Sequence, residues 1–157
     1  MGNYHNLEQE FIERTLHLIE QYYSVLDNYP FEEQFNYTLT INCLLGLIVM
    51  PKEKVISYIP TDRLTSDYLK AIGAPTLEFN GEIRTLRDLI ISLRHAIAHF
   101  DIKVVSVNER YLVDWLEFSD SENGGGLVAR FQASELLPFL RHYASCLLDN
   151  MKKHRDR

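Results

Sequence analysis

The chain has 157 residues, of which 46% are hydrophobic and 24% are charged, and its net charge is −6. This length and composition are those of a globular protein with its own core and exclude a disordered chain, so we expect a single domain over residues 1–157. The acidity argues against a general nucleic-acid binder, but residues 1–33 carry all of it, with seven acidic side chains against Arg14 alone.

The first ten residues are polar and acidic and lack the basic and apolar segments of a secretory signal. The longest apolar run, residues 41–50, is about half the roughly 20 residues that a membrane span needs. Cys43 and Cys146 each lie in an apolar helical pattern, which is typical of free buried thiols in a reducing compartment, although a disulfide between them stays open. We therefore expect a cytoplasmic protein with no membrane attachment.

Apolar residues recur at helical spacing in four segments, which predicts four long helices. These segments are residues 7–26, 31–49, 83–100 and 135–153. The third helix carries an apolar stripe that ends at Phe100. Between the second and third helices, residues 51–81 contain several prolines and glycines and predict a long loop with two short helical turns, near 52–58 and 64–72.

After the third helix the apolar period changes from 3.6 to 2, which predicts strands over residues 102–107, 111–118 and 127–132. Turns are expected at 108–110 and at 123–126. The predicted fold class is mainly α: a four-helix bundle with a small antiparallel β-meander inserted between the third and fourth helices.

Two histidines near the end of the third helix are the strongest candidates for chemistry. His95 and His99 are i,i+4 neighbours, and Asp88 falls in the same sector of the helical wheel. Arg94 lies about 140° from His99 on that wheel. The arginine therefore does not share the face of the histidines, and we expect it to reach toward a second helix or a second subunit.

The segment from Arg94 to His99 has the form Arg-x-x-x-x-His, with a polar residue directly after the arginine, at the end of the third of four predicted helices. In this pattern and in its four-helix arrangement the chain resembles the HEPN (higher eukaryotes and prokaryotes nucleotide-binding) family. His95 stands where that family often has Asn. The meander after the motif is an elaboration expected in only a subset of the family.

The resemblance implies a metal-independent endoribonuclease that works as a homodimer, with two motifs facing one cleft and RNA as the substrate. His99 would act as general acid/base, Arg94 as the phosphate clamp and His95 as an orienting group or second proton carrier. The product would be a cyclic phosphate. A place in a defence or toxin–antitoxin system, with a possible antitoxin partner, follows by analogy with the family.

Three alternatives stay open. Arg94 and His99 have a purely structural interpretation, as an ion pair with the first helix and as a helix cap. The domain also fits a non-catalytic module that binds nucleotide, RNA or a partner protein. Asp88, His95 and His99 together resemble a metal-binding helix face, but the sequence suggests no further ligand, so we expect neither metal nor cofactor.

Overall fold

The computed structural model describes residues 3–49, 53–107, 112–122 and 124–155. Over these residues the protein is mainly helical, with one small antiparallel sheet of four strands in the order β1-β4-β3-β2. Its helices are α1 (Leu7–Val25), α2 (Asn36–Val49), α3 (Glu53–Ile56), α4 (Ser66–Ala71), α5 (Leu86–Ala98) and α6 (Leu136–Arg155). Its strands are β1 (Glu78–Phe79), β2 (Ile102–Val105), β3 (Trp115–Asp120) and β4 (Gly126–Gln132). Within the described residues, no helix combines the length and apolar character that a membrane crossing requires.

The first two predicted helices are present, and the second begins later than expected. Asn6 caps α1, because its side chain accepts a hydrogen bond from the backbone N–H of Gln9. Residues 31–33 form only a 3-10 turn, and the regular helix begins at Asn36. The backbone N–H of Phe35 donates to the hydroxyl of Tyr22 at 2.7 Å, a tertiary contact that draws the chain out of the helical path.

The segment predicted as a long loop contains the two expected helical turns, now α3 and α4, and also a strand that the sequence did not indicate. This strand, β1, has two residues and pairs with β4 through Glu78–Arg130 and Phe79–Ala129. Two residues are too few to show an alternating pattern, which is why the sequence did not indicate this strand. The expected three-stranded meander is therefore extended by β1 to a four-stranded sheet.

The three later strands lie close to their predicted positions. The strand β3 begins at Trp115, so the described residues 112–114 of the predicted strand are not part of it, and residue 111 lies outside the described residues. The strand continues to Asp120, past a register shift between Phe118 and Ser119. This extension carries the end of β3 toward the end of α5. The turn predicted at 108–110 lies outside the described residues, as does residue 123 of the second predicted turn.

The helix α5 lies between α2 and the sheet, and it contacts β3 and β4. Its inward residues Leu86, Leu89 and Leu93 are completely buried. On the other side of the core a row of aromatic rings joins the sheet to α6, with neighbouring ring centroids 5.0–6.5 Å apart. These rings belong to Phe118, Phe131, Phe139 and Tyr143. Helix α5 is thus packed between α2 and the sheet, and the sheet is in turn packed against α6.

Phe100 departs from the predicted apolar stripe. The helix ends at Ala98, His99 is its C-cap residue, and Phe100 takes a left-handed conformation with φ 58°. The ring of Phe100 is therefore 79% exposed rather than buried.

We expect Gly73→Ala to destabilise the protein strongly. Gly73 ends α4 with φ +76°, and a Cβ at this position would lie 2.4 Å from the Cβ of Pro138 in α6. The left-handed backbone and the clash together predict a loss of about 2–4 kcal/mol in the free energy of unfolding, measured by urea denaturation. Gly81→Ala is the matched control, since nothing lies within 4 Å of its added Cβ. Equal losses for the two variants would contradict this account of the α4–α6 contact.

Candidate functional site

The helix that carries the site begins with a reciprocal cap. The side chain of Thr85 accepts from the backbone N–H of Asp88, and the Asp88 carboxylate accepts from the backbone N–H of Thr85. Hydrogen bonds from Thr85 hold the pKa of Asp88 below its ordinary value, and the bond from the Thr85 side chain has the largest effect. Asp88 thus stabilises the start of α5 and does not join the histidines as a metal ligand, although it shares their sector of the wheel.

The structure brings His95 and His99 together at the other end of α5. Their ring centroids are 4.6 Å apart, with an interplanar angle of 52°. The side chain of each is 39% exposed. Both imidazoles are therefore reachable from solvent, at the point where the helix ends.

Among the described residues, no ion pair or ring contact joins Arg94 to this pair. It is half-buried and lies on another side of α5, facing Tyr143 of α6. Burial raises the pKa of the Tyr143 hydroxyl, and the charge of Arg94 opposes that rise. In the part of the chain that the structure describes, no carboxylate forms an ion pair with Arg94. The structural alternative, an ion pair between Arg94 and the first helix, is therefore not observed among the described residues.

Two carboxylates that the sequence did not single out surround the histidines. Glu122 Oε1 lies 3.3 Å from His99 Nδ1, and Glu122 Oε2 lies 3.5 Å from His95 Nε2. Asp120 Oδ1 lies 3.6 Å from the same nitrogen of His95. These carboxylates come from the end of β3 and the turn that follows it. They reach the histidines because β3 runs antiparallel to β2 and so ends near the end of α5. Helical spacing within α5 therefore could not predict them.

The nitrogen between these carboxylates is unusual. Although the His95 ring is partly exposed, its Nε2 is buried and has no hydrogen-bond partner within the described residues. Its contacts with Asp120 and Glu122 are electrostatic contacts at 3.5–3.6 Å, beyond the usual length of a hydrogen bond. A buried polar atom without a hydrogen-bond partner is costly, and a ligand bound to it would remove that cost.

The turn that carries Glu122 is fastened to the end of α5. Asp101 N donates to Ala96 O at 2.8 Å, and Phe100 N donates to Ile97 O at 3.0 Å, which together reverse the chain in a Schellman motif. The Asp101 carboxylate then accepts from the backbone N–H and the hydroxyl of Ser121. Because Glu122 is the next residue, these bonds hold its carboxylate beside the histidines.

A cleft of about 520 Å³ between α5 and the β3–β4 pair opens beside His95. Its charged lining consists of Glu82, Asp88 and Asp120, and no lysine or arginine lines it within the described part of the chain. A phosphate group is repelled from such a cleft, whereas a cation is attracted to it.

A family model described as HEPN pEK499 p136 matches residues 1–154. This match confirms the resemblance that the segment from Arg94 to His99 indicated. No curated protein and no solved structure matches the chain.

We expect Asp101→Ala to destabilise the protein in a pH-dependent way. Hydrogen bonds from Ser121 lower the pKa of Asp101 from its ordinary 3.8, and the bond from the Ser121 side chain has the largest effect. A lowered carboxyl pKa contributes stability that is fully present above the ordinary value and is lost as the pH falls through the lowered one. Urea denaturation at pH 7 should therefore separate wild type from Asp101→Ala, and the difference should shrink below about pH 4.

Asp27→Ala, at an exposed position far from this turn, is the matched control and should change little at either pH. An Asp101→Ala effect of the same size at pH 7 and pH 3 would show that the charged carboxylate does not hold the turn.

Proposed function

Because the chain belongs to the HEPN family, we propose that it is a metal-independent endoribonuclease of HEPN type that acts as a homodimer. In this proposal α1, α2, α5 and α6 are the four helices of the HEPN bundle, and residues 1–157 form one domain. The observation that carries the proposal is the placement of Arg94 and His99. Both lie at the end of α5, the histidine is solvent-accessible, and the arginine has no ion-pair partner among the described residues.

The proposed reaction is attack of a ribose 2′-hydroxyl on the adjacent phosphate. A bond forms between the 2′-oxygen and phosphorus, and the bond from phosphorus to the 5′-oxygen breaks, leaving a cyclic phosphate and a 5′-hydroxyl. One imidazole must take the proton of the attacking hydroxyl, and the leaving oxygen must receive a proton. Arginine offers a planar set of donors for the charge that develops on the phosphate oxygens.

The contacts of His99 suit this role. Glu122 lies at Nδ1 of His99, and a carboxylate at that nitrogen orients the ring and leaves Nε2 for proton transfer to the substrate. His95, with its ring 4.6 Å away, is placed to orient the substrate or carry a second proton.

Arg94 is the reason for proposing a dimer. It lies on another side of α5 from the histidines, so one protomer does not place both groups on the same phosphate. Two copies related by a two-fold axis, with the ends of their α5 helices facing each other, would bring Arg94 of one copy toward His99 of the other. The acidic cleft of each copy would stay outside the path of the RNA.

We further propose that the enzyme works in the cytoplasm in a defence or toxin–antitoxin system, where a partner protein would restrain it. A non-catalytic module that binds nucleotide, RNA or a partner protein is the second candidate. The carboxylates around the histidine pair favour its protein-binding form, since they repel the phosphates of RNA and of nucleotides alike.

The deciding experiment measures cleavage of single-stranded and structured RNA by Arg94→Ala and His99→Ala. We expect each change to lower the rate by at least about 100-fold, because each removes a group that acts in the transition state. Arg84→Ala and His17→Ala are matched controls at exposed positions away from the site and should cleave like wild type.

Circular dichroism and thermal melting should show that all four variants are folded. Full activity in both site variants would refute the assignment of the site. RNA or nucleotide binding without cleavage by the wild type would instead identify the non-catalytic module.

A further inference from the structure

We propose that His95, His99 and Glu122 form a binding site for a divalent transition metal such as Zn²⁺. One ligand atom from each of the three residues lies within 4.8 Å of the other two. The site differs from the metal alternative that the sequence offered, because Asp88 is engaged in the cap of α5 and Glu122 takes its place. The binding claim goes beyond the proposed ribonuclease function and does not depend on it.

The ligand set is of a kind that zinc prefers. Two histidines at i,i+4 on a helix and one carboxylate from another element supply three ligands and leave a fourth position open. Ligand atoms around a tetrahedral zinc ion lie about 3.3–3.4 Å apart. Each ring nitrogen is already near this distance from one oxygen of Glu122, with His99 Nδ1 3.3 Å from Oε1 and His95 Nε2 3.5 Å from Oε2. Rotations of the two rings and of the carboxylate would bring the three ligand atoms, now within 4.8 Å of one another, to the tetrahedral spacing.

Two further observations point to a cation at this place. The first is His95 Nε2, which is buried and lacks a hydrogen-bond partner within the described residues, so coordination would satisfy it. The second is the acidic cleft beside it, where Glu82, Asp88 and Asp120 raise the local concentration of cations. Asp120, 3.6 Å from His95 Nε2, is placed to support the histidine from outside the ligand set.

The donor types select among metals. Two imidazoles and one carboxylate suit zinc and its neighbours in the transition series, whereas Mg²⁺ and Ca²⁺ prefer all-oxygen ligands. A competing pair of ligands lies on α6, where Cys146 Sγ is 3.2 Å from His142 Nε2. A thiolate ligand gives Co²⁺ an intense charge-transfer band, so the two sites are distinguishable by spectroscopy.

The consequence for activity rests on the proposed function. A metal ion bound to His95 Nε2 and His99 Nδ1 would also bind Glu122, which could then no longer orient the His99 ring, and it would fix both rings in place. Zinc would then inhibit RNA cleavage reversibly, and a chelator would restore it. Binding itself is measured without RNA, so failure of the metal site and failure of the ribonuclease proposal are separable.

The test uses the full chain, freed of metal with a chelator and titrated with Zn²⁺ against a chromophoric competitor. We expect one ion per chain. Because loss of an outer-shell partner alone costs 10–100-fold in affinity, Glu122→Gln and His95→Asn should each weaken binding by about 100-fold or more. Glu20→Gln, at an exposed position on α1, and Cys146→Ser are the controls and should bind like wild type.

Circular dichroism of each variant checks its fold, and the Co²⁺ spectrum of the wild type gives a measurement that needs no variant. A visible spectrum without a thiolate band, together with the losses in the two ligand variants, supports the proposal. No binding by the wild type, unchanged binding in both ligand variants, or a thiolate band removed by Cys146→Ser would overturn it.

Discussion

The candidate site depends on how the chain reverses at the end of α5. Phe100 takes a left-handed conformation that usually falls to glycine, which lets Asp101 turn back and bond to Ala96. Asp101 then holds Ser121, and Ser121 fixes the position of Glu122. Without this reversal the carboxylates at the end of β3 and in the following turn would not contact the histidines at the end of α5.

The same end of α5 presents two kinds of charge in two directions. On one side are His95 and His99 with the carboxylates that contact them, an environment that attracts cations. On another side is Arg94, half-buried and without an ion-pair partner in the described residues, which suits an anion. A ribonuclease needs both the proton-handling group and the fixed cation on one phosphate. The separation of Arg94 from the histidines explains why a second copy of the chain is central to the proposed function.

Much of this was predictable from local patterns in the sequence. Helical spacing placed His95 beside His99 and separated Arg94 from both, and alternation indicated three of the four strands. The motif also led to the HEPN family, which the match over residues 1–154 confirms. What the sequence missed depends on contacts between distant segments. The start of α2 follows from the Tyr22 hydroxyl, β1 is too short to show a period, and Glu122 reaches the site only through the register of β3 and the anchor at Asp101.

The most direct test of the central claim, a site shared between two copies, is to mix Arg94→Ala and His99→Ala subunits after each has been shown inactive alone. Half of the dimers in an equal mixture are hybrids, and each hybrid has one intact pairing of Arg94 with the partner's His99. The account therefore predicts recovery of RNA cleavage to about a quarter of the wild-type rate. A mixture that exchanges subunits and stays inactive would contradict it.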